Sequence, residues 1–242
     1  MDIAQKTILI TGANRGIGRA LVEEALRRGA SRVYAGARGD FKHPDPRVTP
    51  LKLDVTDAAG IKHAAAGVAK LDVLINNAGI ALSDDFSDPD VILQHLDVNT
   101  LGMARVTQAF LPLLMRSKGA IVNNLSLAGI APVPPTPSYS VSKAAAASLT
   151  QALRMLLAKP GVKVHGVFLG PVDTDMSRHI EVPKATPAAV AQGIFDGLER
   201  GEEDIFPDPM SRPLAEGWRA GTHKALERQF MAFVPPSAAD AA

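Results

Sequence analysis

The 242-residue chain contains no cysteine. That removes disulfides, thiolate metal sites and thiol nucleophiles together, and it fits a reducing compartment. An excess of either charge is missing as well: 26 Lys and Arg stand against 25 Asp and Glu, a formal net charge of +1. With no dense basic block, neither nucleic acid nor an anionic membrane is expected as a partner. No apolar run approaches the ~20 residues of a membrane helix. The segment "KTILITGANRG" starts a strand within the first ten residues, leaving no room for a signal peptide, so a cytoplasmic protein is expected. The six histidines show neither HxxxH nor HxH spacing, and no metal site is expected. Without internal repeats or a long linker, residues 1–242 read as a single domain, with 231–242 a flexible tail.

What the chain does have is rhythm. Short β-rich apolar runs fall near Thr7–Thr11, Arg32–Gly36, Val48–Asp54, Val73–Asn76, Ala120–Ser126, Val162–Leu169 and Asp204–Phe206. Most are continuous rather than alternating, as a sheet covered on both faces requires. Helical stretches separate them near Gly16–Arg28, Asp57–Val68, Pro89–Arg116, Ser138–Lys159 and Pro187–Arg200, with another over Leu214–Phe230. The β-α alternation predicts an α/β fold, a doubly wound parallel sheet of about seven strands with helices on both faces.

The first strand runs into "TGANRGIGRALVEEALRRG". Gly12 permits a tight turn, Gly16 lets backbone approach a pyrophosphate, and Gly18 allows close helix–strand packing. Asn14, Arg15 and Ile17 share that loop, and the helix opening at Gly16 aims its free N–H groups at the phosphate. No Lys-Ser/Thr follows the last glycine, which disfavours a nucleoside triphosphate loop. Strand two ends in "YAGAR", where enzymes using unphosphorylated NAD tend to carry an acidic residue. Here Ala37 takes that place. With Arg38 after it and Arg15 in the glycine loop, two guanidiniums suit a 2′-phosphate, so NADP is the expected cofactor.

One of the two tyrosines lies in "YSVSK", four residues before Lys143. On a helix these share a face, so the ammonium of Lys143 is expected beside the phenol of Tyr139, lowering its pKa. Together with the glycine loop, "LDV" at Leu53–Val55, "NNAG" at Asn76–Gly79, "DVN" at Asp97–Asn99 and "NLSLAG" at Asn124–Gly129, this pair resembles the short-chain dehydrogenase/reductase family. The resemblance runs from Thr7 to about Phe206, and Ser126 precedes Tyr139 by thirteen residues, the family's usual interval.

The resemblance implies a Rossmann fold and a role for each matching residue. Ser126 would bind the substrate carbonyl, and Tyr139 would exchange a proton with its oxygen. Lys143 would hold the nicotinamide ribose and acidify Tyr139, and Asn99 would anchor a water leading from Lys143 to solvent. Asp54 would contact the adenine amino group with Val55 beside it. Asn77, Ala78 and Gly79 would line the cofactor's inner face, while Gly170, Val172 and Thr174 would grip the nicotinamide carboxamide. The family usually places Pro-Gly after strand six, where this chain has Leu169-Gly170, so altered loop stiffness is expected there.

The expected activity is reversible hydride transfer between NADP(H) and a small-molecule carbonyl or alcohol. A 3-oxoacyl-carrier reductase and a non-catalytic NADP sensor are the alternatives. A hydrolase built on Ser126, His165 and Asp173 is disfavoured, because "NLSLAG" lacks the flanking glycine of a nucleophile elbow; His165 reads instead as a packed strand residue. The apolar patterns of Leu96–Met115, broken by Pro112, and Val141–Leu157 exceed one core-facing stripe. Relatives of this fold pair subunits through those helices, so a homodimer or homotetramer is expected.

Overall fold

The first strand, β1 (Thr7–Thr11), is TILIT, and every residue in it is buried. Successive side chains point to opposite faces, so Ile8 and Ile10 enter one core while Leu9 enters another. That double burial is why the run is continuously apolar. The architecture comes from a computed structural model that describes residues 1–234.

Six further strands are β2 (Arg32–Ala37), β3 (Val48–Lys52), β4 (Val73–Asn76), β5 (Ala120–Asn124), β6 (Lys163–Val167) and β7 (Asp204–Ile205). They form one seven-stranded sheet in the order β3-β2-β1-β4-β5-β6-β7, and every pairing is parallel. The helices are α1 (Gly16–Arg27), α2 (Ala58–Ala66), α3 (Pro89–Leu96), α4 (Gly102–Ser117), α5 (Pro137–Leu157), α6 (Pro187–Arg200), α7 (Ala215–Ala220) and α8 (Thr222–Phe230). Leu21, Val22, Ile194 and Phe195 of α1 and α6 cover the Ile8/Ile10 face. Ile61, Val106, Phe110 and Leu157 of α2, α4 and α5 cover the Leu9 face. This is the doubly wound arrangement expected from the alternation of elements.

The helix expected over Pro89–Arg116 is corrected. It is two α-helices joined by a π-helical stretch, Asp97–Leu101, while Pro112 sits inside α4 without ending it. That wider turn carries the buried Asn99. The helix expected over Leu214–Phe230 divides at Gly221. Of the expected tail, Met231–Phe233 form a 3₁₀ turn, and 235–242 lie outside the described residues.

Strand order reverses at β1, which has β2 on one side and β4 on the other. A doubly wound sheet leaves a crevice beyond the carboxyl ends of its strands at such a point.

Candidate active site

A cleft of about 260 Å³ opens there, lined by residues from the loops after β1, β2, β3, β4, β5 and β6 and from α5. Gly12 and Gly16 have φ of +65° and +52°, the left-handed region that glycine enters freely. At Gly18 an added Cβ would lie 2.0 Å from the carbonyl oxygen of Gly12, so no other residue lets α1 approach the strand this closely. Arg15, the residue before α1, makes no side-chain cap. The first N–H groups of that helix therefore face the cleft without a side-chain acceptor.

At the far end of the cleft, Ala37 leaves no carboxylate at the end of β2, and Arg38 lines the wall. Asp54, also on the wall, accepts hydrogen bonds from the backbone N–H and hydroxyl of Thr56. Burial raises its pKa, but those bonds and the charge of Arg38 outweigh this and leave it below its ordinary value. Arg15 forms an exposed ion pair with Asp175 at 3.6 Å, which ties the glycine loop to the segment after β6. A glycine turn, an uncapped helix start and two arginines, with no carboxylate at the end of β2, fit a dinucleotide carrying a 2′-phosphate.

Tyr139 and Lys143 occupy one face of α5, as their spacing requires, with Lys143 Nζ 5.7 Å from the centre of the Tyr139 ring. Lys143 is buried, and its ammonium donates to the carbonyl oxygen of Asn124 at 2.8 Å. Ser126, after β5, accepts from the N–H of Ala128, and its side chain lies beside the Tyr139 phenol, whose pKa it lowers. The three side chains therefore converge. The expected acidity of the phenol does not follow, however. Burial raises the pKa of Tyr139, with Ser126 opposing, and Lys143 adds no counterweight. Burial also pulls the Lys143 ammonium down to about 8. Both groups have lost water, and at this separation desolvation exceeds their mutual attraction.

Of the residues singled out by sequence, Gly12, Asn14, Arg15, Gly16, Ile17, Gly18, Arg38, Asp54, Val55, Asn77, Ala78, Gly79, Tyr139, Lys143 and Thr174 line the cleft. Asn99, Ser126, Gly170 and Val172 do not. Asn99 stands behind the wall, its carboxamide accepting from the N–H of Ile80, donating to the same residue's carbonyl, and donating to Ser142 Oγ. Val172 is buried and bridges Ala185. Gly170 donates its N–H to the buried Asp208 carboxylate at 3.0 Å, which restrains the turn that lacks a proline. His165 is buried and donates Nδ1–H to the carbonyl of Glu202, as a packed strand residue would. Sequence reasoning missed Asp208, along with Ile80 in the wall. Its place directly after the NNAG turn was the available pointer to Ile80.

A family model described as short chain dehydrogenase matches residues 6–184. The short chain dehydrogenase pigC of Monascus ruber is 33% identical over 227 residues, covering 85% of this chain and 70% of its own length. A short chain dehydrogenase from Burkholderia cenocepacia J2315, solved in complex with NADP, has a TM-score of 0.85 and 35% identity, over 95% of this chain and 99% of that one. The NADPH-bound carbonyl reductase from chicken fatty liver has a TM-score of 0.76 and 29% identity, over 85% of this chain and 100% of that one.

Proposed function

The chain belongs to the short-chain dehydrogenase family, and from that membership we propose that it is an NADPH-dependent carbonyl reductase, reversible as an alcohol dehydrogenase. The observation that carries this reading is the convergence of Ser126, Tyr139 and Lys143 beside a cleft built for a 2′-phosphorylated dinucleotide. The NADP- and NADPH-bound neighbours support the same cofactor. The reading takes the chain as one catalytic unit that acts as a homodimer or homotetramer.

Bound in the cleft, NADPH supplies a hydride. Gly12, Asn14, Gly16, Ile17 and Gly18 would receive its pyrophosphate, Arg15 and Arg38 its 2′-phosphate, and Asp54 and Val55 its adenine. Asn77, Ala78 and Gly79 would line its inner face and Thr174 would meet its carboxamide, with Gly170 and Val172 supporting that turn from behind. Lys143 would hold the nicotinamide ribose. The hydroxyls of Ser126 and Tyr139 would hold the carbonyl oxygen. As that oxygen takes on negative charge, Tyr139 gives up its phenolic proton and the Lys143 ammonium stabilises the phenolate left behind. A phenol raised by burial stays protonated at neutral pH, which suits the reducing direction. Asn99 would anchor a water that returns a proton through Lys143.

The test follows NADPH oxidation by its nicotinamide absorbance with a panel of ketones and aldehydes. Tyr139→Phe should lower turnover by about 100-fold or more while NADPH affinity stays close to wild type. Equal turnover in the variant discards the mechanism. NADPH binding with no turnover of any carbonyl marks a sensor instead.

A further inference from the structure

The segment Ile80–Phe86, which leaves the NNAG turn and passes Tyr139, is held at every second residue. Ile80 is gripped through both its N–H and its carbonyl by Asn99. Leu82 donates its N–H to His95 Nε2 at 2.9 Å. Asp84 is held twice, its N–H donating to the carbonyl of Pro135 and its carboxylate receiving Ser138, the residue immediately before Tyr139. Asn99 and His95 are four residues apart, in the π-helical stretch and at the end of α3, and Ser138 comes from the start of α5. An extended chain offers its backbone groups with a period of two, which matches this ladder.

His95 is fully buried and fully committed. Its Nδ1 faces the carbonyl of Val91 at 2.8 Å, and a carbonyl can only accept. The hydrogen must therefore sit on Nδ1, which leaves Nε2 as the acceptor that Leu82 needs. The same ring meets Tyr139 edge-on, with centroids 6.1 Å apart and planes at 68°.

Asp84 supplies what α5 lacks. Thr136, at the N-cap, makes no side-chain cap, and Pro137 has no N–H to offer. The Asp84 carboxylate accepts from Ser138 Oγ at 2.8 Å and from Ser138 N–H at 3.3 Å, capping the helix from 54 residues away. Ser138 is completely buried, so its hydroxyl and N–H have no water to turn to in place of that carboxylate.

We propose that His95 and Asp84 are positioning residues, which fix the Ile80–Phe86 wall against α5 and so hold the Tyr139 ring in its working orientation toward Ser126. This rests on the reading of Tyr139 as the proton donor. Neither residue touches the reacting atoms.

Two substitutions at one position separate positioning from mere packing. His95→Leu keeps the bulk but removes the acceptor, whereas His95→Gln places an amide oxygen near the position of Nε2. Amide hydrogen exchange at Leu82 should quicken roughly 5-fold or more in the Leu variant and return toward wild type in the Gln variant. With the ketone that wild type reduces fastest, kcat should fall about 10-fold in His95→Leu and recover in His95→Gln. NADPH affinity, read by fluorescence without substrate, should change less than about 2-fold in both. Wild-type kcat in His95→Leu overturns the proposal, as does a Gln variant as slow as the Leu variant. If His95→Leu does not fold, Asp84→Ala in the part-exposed loop replaces it: reduced kcat with unchanged NADPH affinity supports the proposal, and unchanged kcat overturns it. Wild-type protein that reduces no carbonyl sinks the proposed function. Leu82 exchange then decides the clamp separately, and an unchanged rate in His95→Leu refutes it.

Discussion

Lys143 carries a conflict between stability and chemistry. The site needs its charge, yet the side chain is only 5% exposed and burial pulls its pKa from 10.5 down to about 8. Between those values the unfolded chain keeps a proton that the folded protein has shed, so stability should rise as pH climbs from 8 toward 10.5. Below that window the buried charge costs on the order of 3 kcal/mol. Lys143→Met removes that cost and forfeits one bond, to the Asn124 carbonyl, worth about 1 kcal/mol. The variant should therefore melt higher than wild type at neutral pH, with the gap narrowing as the buffer is made alkaline, and it should have no turnover. Calorimetry at neutral and alkaline pH measures this; a lower melting point at neutral pH contradicts it.

The same residue shows why part of the site could not be read in advance. Tyr139 and Lys143 share a helix face because of their spacing, which the sequence displays directly. Whether the ammonium or the loss of water governs the phenol depends on how deeply α5 is covered, and spacing carries no information about depth. His95 and Asp84 were invisible for a related reason: the partner of His95 is the backbone of Leu82, which any residue type but proline provides, and that of Asp84 is Ser138, 54 residues away.

At the level of elements, most boundaries were legible because apolar runs with both faces buried stop where the sheet stops. The π-helical stretch Asp97–Leu101 was not, since one extra residue in a turn leaves the apolar rhythm of the flanking helices intact. A second hidden feature is the contact between the turn after β5 and α5. A Cβ built on Gly129 would lie 2.8 Å from both the carbonyl carbon and the oxygen of Lys143. Backbone meets backbone, so neither side can swing away. Gly129→Ala should push the Ser126 turn off α5, costing about 1–3 kcal/mol of stability and lowering kcat by about 10-fold or more. Gly217, inside α7, has no heavy atom within 4 Å of such a Cβ, and Gly217→Ala should be neutral or stabilising by up to about 1 kcal/mol. Thermal melts and turnover of the two variants, measured together, test whether close approach or glycine content matters.

For the molecule as a whole, the two faces of α5 differ in kind. One carries Tyr139 and Lys143 inward, while Val141 between them is 41% exposed, as is Leu156 at 55%. Leu93 of α3 and Leu101 at the end of the π-helical stretch add exposures of 62% and 48% on the elements packed beside it. Large apolar side chains gathered on adjoining helices favour covering by another surface, and a second copy of the chain is the occupant already proposed. Association would then brace α5 from outside, opposite the catalytic face. Leu101→Glu combined with Leu156→Glu should convert a dimer or tetramer to monomer in sedimentation, because an unpaired carboxylate is costly to bury. Both positions are exposed in the isolated chain, so the fold itself should survive. If α5 is held partly by its partner, kcat should fall with the loss of association while the far-ultraviolet circular dichroism stays unchanged. Wild-type protein that sediments as a monomer removes the partner from the argument, and leaves the orientation of α5 to contacts within the chain.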